Sequence, residues 1–76
     1  MKYVVSDDFV GGEGWTADIL AQVLEGPLAQ IGVTVERVHG HDPGGFRADG
    51  LPPQAYKAKF DAVARAVAGV LRRPPP

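Results

Sequence analysis

The chain has 76 residues, of which 45% are hydrophobic and 22% are charged, and its formal net charge at pH 7 is −1. This length allows one small domain, the composition is that of a folded globular chain, and the near-neutral charge argues against a nucleic-acid partner. The absence of cysteine excludes disulfides, thiolate metal sites and cysteine nucleophiles, and it favours a cytoplasmic location.

The first half of the chain predicts a strand, a polar loop and a helix. Tyr3–Val5 is a short buried strand that enters the polar loop at Ser6. The helix begins near Thr16, whose hydroxyl can accept hydrogen bonds from the first free N–H groups. Gly26-Pro27 predicts a kink or a break with a second short helix, because proline inside a helix costs about 3 kcal/mol. Gly32 then ends the helical stretch.

The second half predicts another strand, a long loop and a second helix. Val33–Val38 alternates apolar and polar residues, which is typical of an edge or half-exposed strand. A loop rich in glycine and proline occupies 39–53. Pro52 or Pro53 opens a helix with one apolar stripe, formed by Tyr56, Phe60, Val63, Val67 and Val70.

These elements predict the α/β class. A helix between two strands allows them to pair in parallel as a small βαβ unit, which the C-terminal amphipathic helix completes. We expect one domain over 1–73 and a disordered proline tail over 74–76. Two strands and two helices leave sheet edges unpaired, so the alternatives are a third strand from the loop, self-association or an incomplete larger α/β fold.

Polar residues follow both predicted strands. Because the carboxyl ends of parallel strands meet at one edge of a sheet, we expect these side chains to converge there. Imidazoles with carboxylates suit zinc or manganese, and carboxylates alone suit magnesium. The other interpretation is a set of turn and capping residues in a solvated loop. The candidate metal ligands are Asp7, Asp8, His39, His41 and Asp42.

Three glycines precede the first helix and are candidates for ligand binding. Gly11, Gly12 and Gly14 would let the backbone N–H groups approach an anion at the start of the helix. A flexible connection is the alternative, and Glu13 would repel a phosphate group. The spacing of the glycines matches neither the dinucleotide fingerprint nor the P-loop.

Three short stretches resemble known families. Val5–Phe9 resembles the start of the diacetylchitobiose-deacetylase-like family, in which Asp-Asp-Phe contributes a metal ligand, and this resemblance implies metal-dependent deacetylation. Phe9–Glu13 is similar to the opening of pyroglutamyl peptidases, whose nucleophile is a cysteine that this chain lacks. His39–Gly45 resembles a metallo-β-lactamase motif with different spacing. The three matches are incompatible and short, so they indicate no family.

Charge is divided unevenly along the chain. Residues 1–50 carry eight acidic and three basic side chains, a net charge of −5, whereas 51–76 carry one acidic and five basic side chains, a net charge of +4. Such a division steers a partner or pairs two copies head to tail, and it also arises when a basic helix packs beside acidic loops.

Two hypotheses for function follow. The leading one is a soluble domain that binds a divalent cation or a small polar ligand at the ends of its strands, as part of a metal-dependent hydrolase. The alternative is a non-catalytic module that binds itself or another protein. Its expected interface residues are Trp15, Tyr56 and Phe60. No stretch of about 18 apolar residues is present, so no membrane partner is expected.

Overall fold

The structure is a computed structural model that describes residues 1–76. It contains three strands and two helices, which confirms the mixed α/β class. The single domain over 1–73 and the disordered tail over 74–76 stay predictions. The elements are β1 Lys2–Ser6, α1 Ala17–Ala29, β2 Thr34–Val38, β3 Gly45–Arg47 and α2 Pro53–Leu71.

The three strands form one mixed sheet with β1 in the centre and the order β2-β1-β3. β1 pairs in parallel with β2, and Ser6 lies opposite Val38 at the carboxyl ends of both strands. β1 pairs antiparallel with β3, where Tyr3 lies opposite Phe46. β2 is therefore an edge strand, as its alternating sequence predicted, and the third strand is formed by the loop.

Helix α1 begins where its sequence predicts. The side chain of Thr16 accepts a hydrogen bond from the N–H of Ile19 at 3.2 Å. The helix continues through Pro27 to Ala29, so of the two predicted outcomes, a kink or a break into two helices, the break is wrong and the kink stays a prediction. Pro27 lies in the last turn, where its missing N–H costs only one hydrogen bond, and the fully buried Leu24 and Leu28 hold this turn in the core.

The core is small and centred on α1. Only ten of the 76 residues are buried, so each large buried side chain carries a substantial share of the stability. Leu20, Leu24 and Leu28 of α1 belong to one apolar cluster that also contains residues of the sheet side and of α2. The sheet and the segment before β2 contribute Val5 and Val33, and α2 contributes Val63 and Val70.

The apolar stripe of α2 is only partly covered. Val63 and Val70 are buried in the core cluster, whereas Tyr56 and Phe60 are 36% and 47% exposed. The two helices pack against each other, but α1 has 13 residues and α2 has 19. At 1.5 Å per residue, α2 is about 9 Å longer than α1, so α1 does not cover the whole stripe.

Candidate functional site

The structure brings the five predicted metal ligands to one edge of the sheet, which we call the rim. Asp7 and Asp8 follow β1, and His39, His41 and Asp42 follow β2. The N–H of Asp7 donates to the carbonyl oxygen of Gly40 at 3.3 Å, which holds the two loops together. The rim therefore forms where the carboxyl ends of two parallel strands meet.

Arg37 organises one side of the rim. Its Nη2 donates to Oδ1 of Asp7 at 2.6 Å, and its Nε donates to Oδ1 of Asp18 in the first turn of α1 at 2.8 Å. The N–H of Gly40 donates to the other oxygen of Asp7 at 2.6 Å. The hydrogen bond from Arg37 is the main reason that the pKa of Asp7 lies below its ordinary value. Arg37 thus connects both strand ends to the start of α1.

Asp8 and His41 form the second pair of the rim. Nδ1 of His41 lies 2.8 Å from Oδ1 of Asp8, and the N–H of Asp42 donates to Oδ2 of Asp8 at 3.0 Å. The contact with His41 is the main cause that lowers the pKa of Asp8, and the same contact raises the pKa of His41. His39 lies nearby, with its Nδ1 3.9 Å from Oδ1 of Asp7.

Asp42 and Ser6 fix the loop after β2. Oδ1 of Asp42 accepts hydrogen bonds from the N–H of Gly44 at 2.7 Å and from the guanidinium of Arg47. The Gly44 N–H is the main cause that lowers the pKa of Asp42. The buried Ser6 donates its hydroxyl to the carbonyl oxygen of Asp42 at 2.6 Å and accepts from the N–H of Asp8 at 3.1 Å. Ser6 therefore braces the loop.

The rim is a network of satisfied charges. Each of its three carboxylates contacts the side chain of an arginine or a histidine and accepts a hydrogen bond from one backbone N–H. No group of three or more histidine, aspartate or glutamate side chains is placed to hold a metal ion. The cation site stays a prediction, and a cation would have to compete with Arg37 and His41 for the same oxygens.

The three glycines before α1 have separate surroundings. A Cβ atom at Gly11 would lie 2.6 Å from the ring of Phe9 and 2.8 Å from Cβ of Trp15, so this position has no space for a side chain. Gly14 has a φ of +84°, which favours glycine, and Gly12 faces open space. Packing and turn geometry thus account for two of the glycines, and their role in ligand binding stays a prediction.

A second surface, which we call the apolar groove, lies between β3 and α2. It has a volume of about 390 Å³, and eight of the nine residues that line it are hydrophobic. Three aromatic rings contact one another at its Phe60 end, where ring centroids are 5.4 Å apart for Phe46 and Tyr56 and 6.2 Å apart for Tyr56 and Phe60. The lining residues are Tyr3, Gly45, Phe46, Phe60, Val63, Ala64, Val67, Ala68 and Leu71.

The apolar groove brings together two of the three expected interface residues. Phe60 lines it and Tyr56 stacks on Phe60, whereas Trp15 is half-buried and packs against the core cluster. The side of α2 next to the groove is basic. Lys57 precedes Phe60 by three residues, and the exposed Arg65 and Arg72 directly follow lining residues.

Two important residues were missed in the sequence. Arg37 occupies a position where the alternation of β2 predicts an apolar residue, because it shares a face with Val33 and Val35. That mismatch was a signal that the charge has local partners. Phe46 is a lone aromatic residue in a loop rich in glycine, and this was the local sign of where the third strand and the groove form.

Comparisons with known proteins give no further guide to function. No protein-family model, curated protein or solved structure matches the chain. Neither helix has the combination of length and apolar character that crossing a membrane requires. Inferences about function therefore rest on the rim and the apolar groove.

Proposed function

We propose that the chain is a non-catalytic association module that binds a second copy of itself through the apolar groove. The observation that carries this proposal is an open apolar surface with aromatic side chains at one end. Phe60 and Tyr56 are 47% and 36% exposed, although both contact Phe46. Aromatic residues of this kind dominate the binding energy of protein interfaces. In this proposal, association completes the covering of a small core.

The uneven charge supports a second copy as the partner. Lys57, Arg65 and Arg72 adjoin the groove, and Asp61 is the only acidic residue of α2. Residues 1–50 have a net charge of −5. A copy of the chain therefore supplies the opposite charge that the basic side of α2 attracts, and complementary charges speed and orient association.

We expect the wild-type chain to associate reversibly and Phe60→Asp to weaken this association about tenfold or more. The substitution removes a large apolar contact and places a charge beside the groove, where it would lose its water on binding. Sedimentation velocity over a range of protein concentrations measures the effect. The expected result is a mass that rises with concentration for the wild type and stays that of a monomer for the variant.

Gln54→Asp is the matched control for this experiment. Gln54 is an exposed residue of α2 that does not line the groove, and its substitution adds the same charge as Phe60→Asp. We expect it to associate as the wild type does. Thermal unfolding followed by circular dichroism verifies that both variants fold. A wild type that is strictly monomeric at millimolar concentration would contradict the proposed function.

A divalent cation at the rim is the second candidate, with metal-dependent hydrolysis as its associated activity. One observation favours it, because the fold places His39 and His41 beside Asp7 and Asp8. If a cation binds there, a concentration of 100 times its dissociation constant stabilises the fold by about 2.7 kcal/mol. We expect zinc, manganese or magnesium to raise the Tm of the wild type in this case, and thermal unfolding with each ion measures it.

His39→Gln combined with His41→Gln is the control for the cation. Both imidazoles are exposed, with side-chain accessibilities of 77% and 95%, so their removal leaves the core intact. The double variant should lose the rise in Tm with zinc. If none of the three ions raises the Tm of the wild type, a divalent cation site at the rim is excluded.

A further inference from the structure

The loop that joins β1 to α1 presents an unusual apolar side chain. Val10 is 91% exposed, which is the highest value among the large hydrophobic residues exposed in the structure. Residues close to Val10 attach the loop to the rest of the domain. Phe9 and Trp15 pack against the core cluster and enclose Gly11. Val10 is thus exposed on a loop that is anchored to the core by its neighbouring residues. An apolar side chain on an ordered loop loses little conformational entropy when it binds.

The same loop is acidic. It carries Asp7, Asp8 and Glu13, and no lysine or arginine occurs between Lys2 and Arg37. Arg37 pairs with Asp7 and His41 contacts Asp8, but Glu13 has no salt-bridge partner in the chain. The loop therefore combines an exposed apolar side chain with negative charge.

The apolar groove has the complementary pattern. Its floor is apolar from Tyr3 to Leu71, and the adjoining side of α2 carries Lys57, Arg65 and Arg72. Lys57 pairs with Asp61 at 2.9 Å, which leaves two of the three cations without an acidic partner on the helix. An apolar side chain flanked by carboxylates matches the apolar lining and the charge of this surface.

We infer that the 7–13 loop of one copy docks into the apolar groove of the next, with Val10 as the anchor and the loop carboxylates beside the basic side of α2. This inference rests on the proposed function, and it identifies the 7–13 loop as the surface that the groove of another copy binds. It implies a head-to-tail contact between two different surfaces. Such contacts leave a free loop at one end of the assembly and a free groove at the other, so copies assemble into rings or open chains.

Charge disfavours a symmetric contact of groove with groove in which the two α2 helices pack antiparallel. This arrangement would place the basic edge formed by Lys57, Arg65 and Arg72 of one copy close to the basic edge of the other. Like charges at short distance repel, and this repulsion is reduced by salt. Added salt should therefore strengthen a symmetric contact, whereas it should weaken the head-to-tail contact, in which opposite charges meet.

The experiment mixes two variants that each lack one of the two surfaces. Val10→Lys removes the anchor and adds a charge that the groove repels, while Phe60→Asp disables the groove and leaves the loop intact. Each variant alone should be monomeric by sedimentation velocity. Their equimolar mixture should form a one-to-one dimer that grows no further, because the intact loop of one fits the intact groove of the other.

Three results separate the inference from the proposed function. If Val10→Lys alone associates as the wild type does, the loop is not the docking segment, and the inference is overturned while the proposed function stands. If the mixture stays monomeric, the head-to-tail contact is likewise excluded. A wild type that never associates overturns both. Val10 is nearly fully exposed, so its substitution leaves the fold intact, and thermal unfolding of each variant verifies this.

Discussion

Replacing Leu24 with alanine is expected to cost about 2–5 kcal/mol of unfolding free energy, which is the usual range for a fully buried leucine. Leu24 is 0% exposed and belongs to the single apolar cluster that α1, α2 and the sheet share. A domain of this size lies near the lower end of the usual stability range of about 5–15 kcal/mol. We therefore expect this variant to retain only about 0–3 kcal/mol of stability at 25 °C and to unfold at a much lower urea concentration than the wild type, as measured by circular dichroism.

Gln22→Ala is the matched control, because Gln22 is an exposed residue two positions earlier in the same helix. It should unfold at the same or a slightly higher urea concentration, since alanine has a greater helix propensity than glutamine. The slope of the transition should be unchanged for the control. A loss below about 1 kcal/mol for Leu24→Ala would show that the cluster is not the main source of stability.

The elements with local signals could be predicted from the sequence. The start of α1 is set by Thr16, the start of α2 is set by Pro52 before the helix and Pro53 as its first residue, and the edge position of β2 follows from its alternation. Each of these signals lies within a few residues of the element that it determines. Of the two outcomes predicted at Gly26-Pro27, a kink or a break, the break does not occur, because the buried leucines beside Pro27 outweigh one lost hydrogen bond.

The elements and contacts that depend on distant residues could not be placed from sequence. β3 has only three residues, and its position is set by pairing with β1, from which it is separated by α1 and β2. The convergence of the rim followed from the parallel topology, but the partner of Asp7 is Arg37, 30 positions away. The apolar groove depends on the distance between α2 and β3, which no local pattern encodes.

Replacing Arg37 with glutamine is expected to lower the Tm by several degrees at pH 7. The guanidinium donates to Asp7, to Asp18 and to the carbonyl oxygen of Val38, the last at 2.5 Å, so its loss releases three groups from three segments. Lys57→Gln is the control, because Lys57 also pairs with one aspartate but its side chain is 78% exposed. An exposed pair of this kind contributes little to stability, so the control should change the Tm much less.

The effect of Arg37→Gln should depend on pH with a definite sign. The pKa of Asp7 is lowered from its ordinary value of 3.8, so its contribution to stability is present above that pH and is lost as the pH falls through the folded pKa. In the variant, the pKa of Asp7 returns towards 3.8. The difference in Tm between wild type and variant should therefore be constant from pH 5 to pH 8 and should shrink below about pH 4.

His41→Gln should show the opposite dependence on pH. The contact with Asp8 raises the pKa of His41 above its ordinary value of 6.5, so the imidazolium contributes stability below that pH and the contribution is lost as the pH rises through the folded pKa. This variant should thus be less stable than the wild type at pH 5 and equal to it at pH 9. Because Arg37 stays charged at both pH 5 and pH 9, the loss of stability caused by Arg37→Gln should be present at both. Equal pH profiles for both variants would mean that the Arg37–Asp7 and His41–Asp8 pairs do not act separately.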